Sequence, residues 1–247
     1  MRKGLKLMVI TFCIFLAITL AVFSAEKTYD VKFATYYAPG NPVLEVLRNM
    51  FVPMVEEKTN GNVKITVFDN CQLGAELEFT ESLRAGSIEM ALIGTILENT
   101  IPKIKTLLLP FVFRGPDHMV KVLNGPVGQD LLSGFYDVGV VPLSGFSQGA
   151  VQMANNVRPV RTLEDVKGLR LRSLQGESFI NGIKAIGAIP IILALDEIYT
   201  SLQQGLIDGV PNTILNFESY GWLWVDLPLV LLRLIVFTNK HNCPYFV

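Results

Sequence analysis

Cysteine and histidine are scarce. The 247 residues hold three cysteines, Cys13, Cys71 and Cys243, and two histidines, His118 and His241. A disulfide framework or a zinc-type cluster needs more of these residues at closer spacing. The sequence therefore points to neither, and to no cofactor. Positive charge is not in excess either: 21 Lys and Arg stand against 22 Asp and Glu. Binding to a phosphate backbone or an anionic membrane rests on clustered basic residues. Nucleic acid is thus not an expected partner. Charged residues make up only 17% and hydrophobic residues 50%, which excludes a disordered chain. The length suits one large domain or two smaller ones.

Acidic residues are absent before Glu26, while Arg2, Lys3 and Lys6 come early. Between them lies the uncharged run "LMVITFCIFLAITLAVF", residues 7–23, followed by the small residues Ser24 and Ala25. A basic start, an apolar middle and small residues at the cut make a secretory signal peptide over 1–25. An uncleaved anchor is the rival reading, since 17 apolar residues can just span a bilayer. The polar stretch "EKTYD" at once afterwards favours cleavage. Either way the working part lies outside the cytoplasm. Without the first 25 residues the balance is 18 basic against 22 acidic.

What is present is an echo. "SLRAGSIEMAL" at 82–92 returns as "SLQQGLIDGV" at 201–210. Ser82, Leu83, Gly86, Ile88 and Glu89 match Ser201, Leu202, Gly205, Ile207 and Asp208, each 119 positions on. Each copy reads as a helix ended by a left-handed Gly, then a strand carrying an acid. The surrounding pattern agrees. "YDVKFAT" alternates as a strand. Asn41-Pro42 reads as an N-cap with Pro at the first helical position, Pro53 as a kink, and Asn60-Gly61 as the helix end. "VKITVF", a helix over about 75–85 and "IEMALIG" complete strand–helix–strand–helix–strand, the pattern of a parallel sheet. Later, "GVVPLSGFS" is a strand candidate. "GLRLRS" is another, with Leu169 and Leu171 on one face and Arg170 and Arg172 on the other. A helix over 177–186, the strand "IPIIL", a helix capped by Asp196 and the strand "LIDGVP" follow. Two α/β lobes around a cleft suggest a hinged binding protein.

Several stretches, in order, resemble the solute-binding proteins of TRAP transporters, the DctP-like family. They are "VEEKTNGNVKITVF", "QLGAELE", "LPFVFRGPDHMVKVLNGPVGQDLL", "TLEDVKGLRLRS" and "LDEIYTSLQQGLIDGVPN". The resemblance covers roughly residues 28–220. It implies a two-lobed, type II-like α/β periplasmic binding-protein fold: residues 26–149 form lobe I, 150–237 lobe II, and 238–247 an atypical tail. It also implies a small organic acid as ligand, and TRAP membrane subunits, one small and one large, as partners.

The same resemblance assigns candidate site residues. Arg172 matches the arginine that clamps the ligand carboxylate. Its planar fork can make two parallel bonds to such a group. Asn212 matches a polar contact after the "DG" turn, although this chain has "GVPN" where the family usually shows "GQEN". Tyr36, Glu76, Thr95, Gln152 and Gln175 fall where relatives line the cleft. Gln152 stands where some sugar-acid binders carry a second arginine, and Leu195 where an aromatic often packs on the ligand. Arg170 is then a neighbour in another direction, although its spacing of two could equally place it on the same side as Arg172.

Two features point elsewhere. "GFSQG", residues 145–149, has the G-x-S-x-G form of an esterase nucleophile elbow, with Asp208 or Asp226 and then His241 in the required order. A secreted serine esterase using Ser147 is therefore the alternative function. After about Gly221 the match to the family fades in "WLWVDLPLVLLRLIVFTNKHNCPYFV". Relatives continue further, so the expectation is a truncated or frame-shifted product that lacks the family's C-terminal segment.

The N-terminal pattern carries a prediction. Expressed in a bacterium, the exported protein should begin at or beside Ala25 or Glu26. N-terminal sequencing of the periplasmic fraction checks it; an intact Met1 in the membrane fraction is the opposite result.

Overall fold

The computed structural model describes residues 27–109 and 112–222. The signal-peptide stretch, the 223–247 tail, Asp226 and His241 lie outside the described residues.

Three parallel strands form the first sheet. They are β1 (Tyr29–Ala34), β2 (Val63–Phe68) and β3 (Met90–Ala91), in the order β2-β1-β3. Helices return the chain between them, as parallel pairing requires. Asn41 caps α1 (Pro42–Val46): its side chain accepts from Val43 N, with Pro42 at the first position. A π-helical turn over Leu47–Phe51 leads into α2 (Val52–Lys58). Pro53 has no N–H for the preceding turn, and the helix widens just before it. Helix α3 (Glu76–Arg84) joins β2 to β3. Phe33, Leu44, Leu47 and Phe79 are the centre of this lobe's core.

Past β3 the chain is helical. Two 3₁₀ segments (Ile96–Asn99 and Pro102–Leu108) precede α4 (Pro116–Leu123) and α5 (Pro126–Ser133), which Gly125-Pro126 separates. The expected strand over 139–147 does not form. Residues 140–150 belong to no sheet and carry the chain to the second lobe. Pro142 lacks the donor that a ladder needs, and pairing begins only at β4 (Val151–Asn155).

The second sheet adds β5 (Arg170–Ser173), β6 (Ile189–Ile192) and β7 (Gly209–Thr213), in the order β4-β7-β5-β6. Strand β4 runs antiparallel to β7, and β5 is parallel to both of its neighbours. Successive residues of β4 serve opposite faces. Met153 packs with Leu169, Leu171 and Ile183, whereas Ala154 packs with Ile198, Phe217 and Trp222. Helices α6 (Glu177–Ala185), α7 (Ile198–Gln203) and α8 (Ile214–Ser219) cover the sheet. The N-cap of α7 is Glu197, not Asp196; the Glu197 carboxylate folds back to accept from Ala194 N.

The echo is a repeated structural unit. Gly86 and Gly205 both take positive φ, +73° and +66°. Each ends its helix in the same way: Ser87 N and Leu206 N donate back to Ser82 O and Ser201 O, both at 2.9 Å. The acids match as well. Glu89 accepts from Lys32 N in β1 at 2.8 Å, and Asp208 from Arg170 N in β5 at 2.7 Å. An acid at the start of each lobe's third-unit strand thus anchors the strand beside it.

Arg170 is therefore not a free surface group. Its guanidinium also pairs with Asp208. Burial would raise the Asp208 carboxyl, but the hydrogen bonds from the Arg170 side chain and backbone outweigh it and hold it below the ordinary range. Asp208→Ala should destabilise the fold by about 2 kcal/mol, the scale of a hydrogen-bonded charged group. Asp208→Asn, which keeps an acceptor for Arg170 N, should cost less. A depressed carboxylate stabilises above its unfolded pKa and loses that effect as pH falls through the folded value. The deficit in urea unfolding should accordingly shrink in acid.

Candidate functional site

Arg172 is the most unusual side chain in the second lobe. It lies on β5 with 5% of its surface exposed. Its Nε donates to Leu193 O at 3.1 Å. Among the described residues no protein group takes up Nη1 or Nη2. Burial draws its pKa down to about 10, with nearby Glu76 opposing. The guanidinium stays charged at neutral pH, fixed at one edge, with its fork unpaired among the described residues.

It opens into a cavity of about 1560 Å³ between the lobes. From the first lobe Tyr36, Glu76 and Thr95 line this space, and from the second Arg172, Gln175 and Asn212. Six of the seven candidate residues thus meet in one cleft. Gln152 faces Asn212 across the β4–β7 pair, but it is not part of the wall, where Val151 is. Leu195 lines the cleft and also packs against the cores of both lobes.

Local structure explains these placements. Tyr36 follows β1 directly and is buried. Asn70 and Cys71 hold its loop, donating to Tyr37 O and Thr35 O from left-handed backbone, φ +45° and +58°. Such conformations in non-glycine residues store strain and recur at binding sites. Burial raises the Tyr36 phenol, which therefore stays protonated. Asn212 ends its sheet at the start of α8, and its Oδ1 accepts from Asn216 Nδ2 at 2.8 Å. Asn216 Oδ1 in turn accepts from Asn41 Nδ2 at 3.0 Å. A buried amide relay therefore runs from the cap of α1 to a cleft residue of the other lobe.

Reading the sequence missed three contributors. Gln148 donates to the Tyr36 hydroxyl at 2.8 Å; it stood in "GFSQG" but only the serine drew attention. Asn216 was visible as Asn212 plus four, one helical turn on. Tyr220 donates its hydroxyl to Tyr36 O, a contact between positions 184 residues apart with no local signal.

"GFSQG" itself does not form an elbow. A nucleophile elbow is a sharp strand-to-helix turn, whereas this segment belongs to no sheet and is followed by the strand β4. Ser147 Oγ accepts from Gly149 N, and Asp208 is engaged by Arg170.

Two α/β lobes with polar groups converging on an interlobe cleft define a solute-receptor architecture. The comparisons identify which one. Residues 33–225 match the family model for bacterial extracellular solute-binding protein, family 7, and the chain belongs to that family. A solute-binding protein of Verminephrobacter eiseniae is 36% identical over 195 residues, 78% of this chain and 57% of the relative. The crystal structure of a TRAP periplasmic solute-binding protein from Roseobacter denitrificans with bound beta-D-glucuronate superposes with a TM-score of 0.76 at 28% identity. It covers 80% of this chain and 65% of that one. One from Sulfurospirillum deleyianum with bound succinate gives 0.76 at 32% identity, covering 81% and 64%. The chain spans a little over half the length of the curated relatives it matches first.

Glu76 carries the pH dependence of this site. Loss of water lifts its carboxyl from an ordinary 4.5 to about 7; a 2.6 Å bond from Gly94 N and the charge of Arg172 pull the other way. Because the folded pKa is the higher one, the folded state holds an extra proton between the two values. Stability contributed by Glu76 is thus full below about 4.5 and lost as pH rises through 7. Without added solute, Glu76→Gln should melt higher than the parent at pH 8 and nearly level with it at pH 4.5. Equal melting temperatures at pH 8 would contradict this assignment.

Proposed function

We propose that this protein is the extracytoplasmic receptor of a TRAP transporter. In this reading lobes divided near residue 149 close on a small organic acid, which is then passed to the small and large membrane subunits. The N-terminal pattern supports export to the periplasm, and the family is one of extracellular proteins. The observation that carries the reading is the half-engaged guanidinium of Arg172. A buried cation with an empty planar fork calls for a carboxylate, the anion that matches it with two parallel bonds.

The rest of the wall supports a solute with one carboxylate and several hydroxyls. Glu76 stands near Arg172 with its carboxyl lifted to about 7, so a solute carboxylate on Arg172 favours the neutral, hydrogen-bonding form of Glu76. Thr95, Gln148, Gln175 and Asn212 are neutral groups that suit hydroxyls. Glucuronate, the ligand of the Roseobacter protein, has this character; succinate, held by the Sulfurospirillum protein, has two carboxylates.

Calorimetry with D-glucuronate, D-galacturonate and succinate tests this. A sugar acid should bind more tightly than succinate. Arg172→Ala should weaken binding at least tenfold, since one decade corresponds to about 1.4 kcal/mol and a bond to a charged group contributes about 1.5–3 kcal/mol. Arg172→Lys keeps charge without the fork and should recover only part. Unchanged affinity in a folded Arg172→Ala protein would remove the arginine from the site.

A further inference from the structure

Glu98 is an acid that follows Ile96 and Leu97, and it is fully buried. It sits in the first lobe, on the 3₁₀ segment after β3. Its Oε1 accepts a 2.8 Å hydrogen bond from Ser178 N, in the first turn of α6 in the second lobe. Oε2 is buried with no partner among the described residues. Helix α6 lacks a side-chain cap of its own, because Gly176 stands at its N-cap. The free N–H groups of a helix start attract a carboxylate through hydrogen bonding and the helix dipole. Here the carboxylate comes from the opposite lobe.

Gly176 makes the approach possible. Its φ of −68° is open to any residue. A side chain there, however, would place Cβ 2.1 Å from Glu98 Oε1. The glycine is needed for room, not for backbone freedom.

The contact crosses the cleft. Thr95 and Ile96 on one side and Leu174, Gln175 and Ser178 on the other all line the cavity. The bond therefore exists only while these walls are together. The lone partner of a buried carboxylate would be lost on opening, and Glu98 would return to water. The unpartnered Oε2 keeps the closed contact from being a permanent weld, since a half-satisfied buried charge is costly. Beside it Lys105 pairs with Glu177 at 2.7 Å, but that bridge is solvent-exposed and exposed pairs contribute little.

We propose that Glu98 is a cross-cleft latch. It caps α6 when the lobes close and so sets the open–closed balance on which solute affinity depends, without touching the solute. This rests on the receptor reading only for its effect on binding. Affinity scales with the fraction of protein in the binding-competent form, and loss of an N-cap shifts such a balance roughly tenfold.

The test uses the full chain, its Glu98→Ala, Glu98→Gln, Gly176→Ala and Lys105→Ala variants, and D-glucuronate as probe. Small-angle X-ray scattering without solute reads the opening; stopped-flow with D-glucuronate reads the rates. Glu98→Ala and Gly176→Ala should both enlarge the radius of gyration and speed dissociation about tenfold, with association little changed. Glu98→Gln, which keeps the acceptor, should be intermediate, and Lys105→Ala should match the parent. If Glu98→Ala does not fold, Gly176→Ala carries the test from the other lobe. A radius of gyration or a dissociation rate equal to the parent's in the folded variants overturns the latch. If the parent itself does not bind D-glucuronate, the sugar-acid reading fails, and the scattering alone decides the latch.

Discussion

The structure turns on a guanidinium that has lost its water. Arg172 is buried on β5, held at Nε by a backbone carbonyl. Desolvating a charge is costly unless a partner compensates. Glu76 is a nearby acid, yet it is itself so short of water that its carboxyl sits near 7. Neither group completes the other. A solute carboxylate would supply what both lack: a counter-charge for Arg172 and a neighbour that favours protonated Glu76. A site in this state gains most from an anion when water is shut out, so binding and closure favour each other.

Closure needs links of two kinds, and the two sides of the cleft supply them differently. On one side the lobes are tied by buried amides and aromatic groups. Asn41 bonds to Asn216 and Ser219, Tyr220 bonds to Tyr36 O, and Leu195 packs into both cores. These groups are short, paired and packed, as a hinge requires. Across the cavity the buried contact is a carboxylate on a helix end, beside the more exposed Lys105–Glu177 bridge. The amide relay has a second role, since it ends at Asn212 in the cleft wall. The amide ties between the lobes and the cleft wall are therefore one hydrogen-bonded unit.

Much of the fold was legible because the signals were local. Asn41-Pro42 specifies a helix start through its own side chain, and Gly86 and Gly205 specify helix ends through backbone that only glycine takes easily. The 119-residue echo had a physical basis: both copies repeat the helix stop and the acid that anchors a neighbouring strand. What failed depended on partners far away in sequence. "GVVPLSGFS" has strand-like composition but no strand beside it among the described residues. Arg170 alternates outward as expected, yet Asp208, 38 residues on, captures it. The cleft residues came from the family resemblance, not from periodicity, which cannot say that Tyr36 and Arg172 share one cavity. Glu98 was passed over because nothing local marks a buried acid whose donor lies 80 residues ahead.

The two carboxylates at the cleft then separate into two tasks. Glu76 lines the cavity and bonds to Gly94 of its own lobe, so its burial changes what the cleft accepts. Glu98 bonds to the other lobe and lies outside the lining, so its burial changes how long the cleft stays shut. Selectivity follows from differential contact with solutes, whereas the open–closed balance scales all affinities alike. Residues of the second kind can be altered without redrawing the first. In the proposed reading a receptor that must hold its solute and later release it benefits from that division, because its affinity can be adjusted at Glu98 and Gly176 without changing the groups that line the cleft.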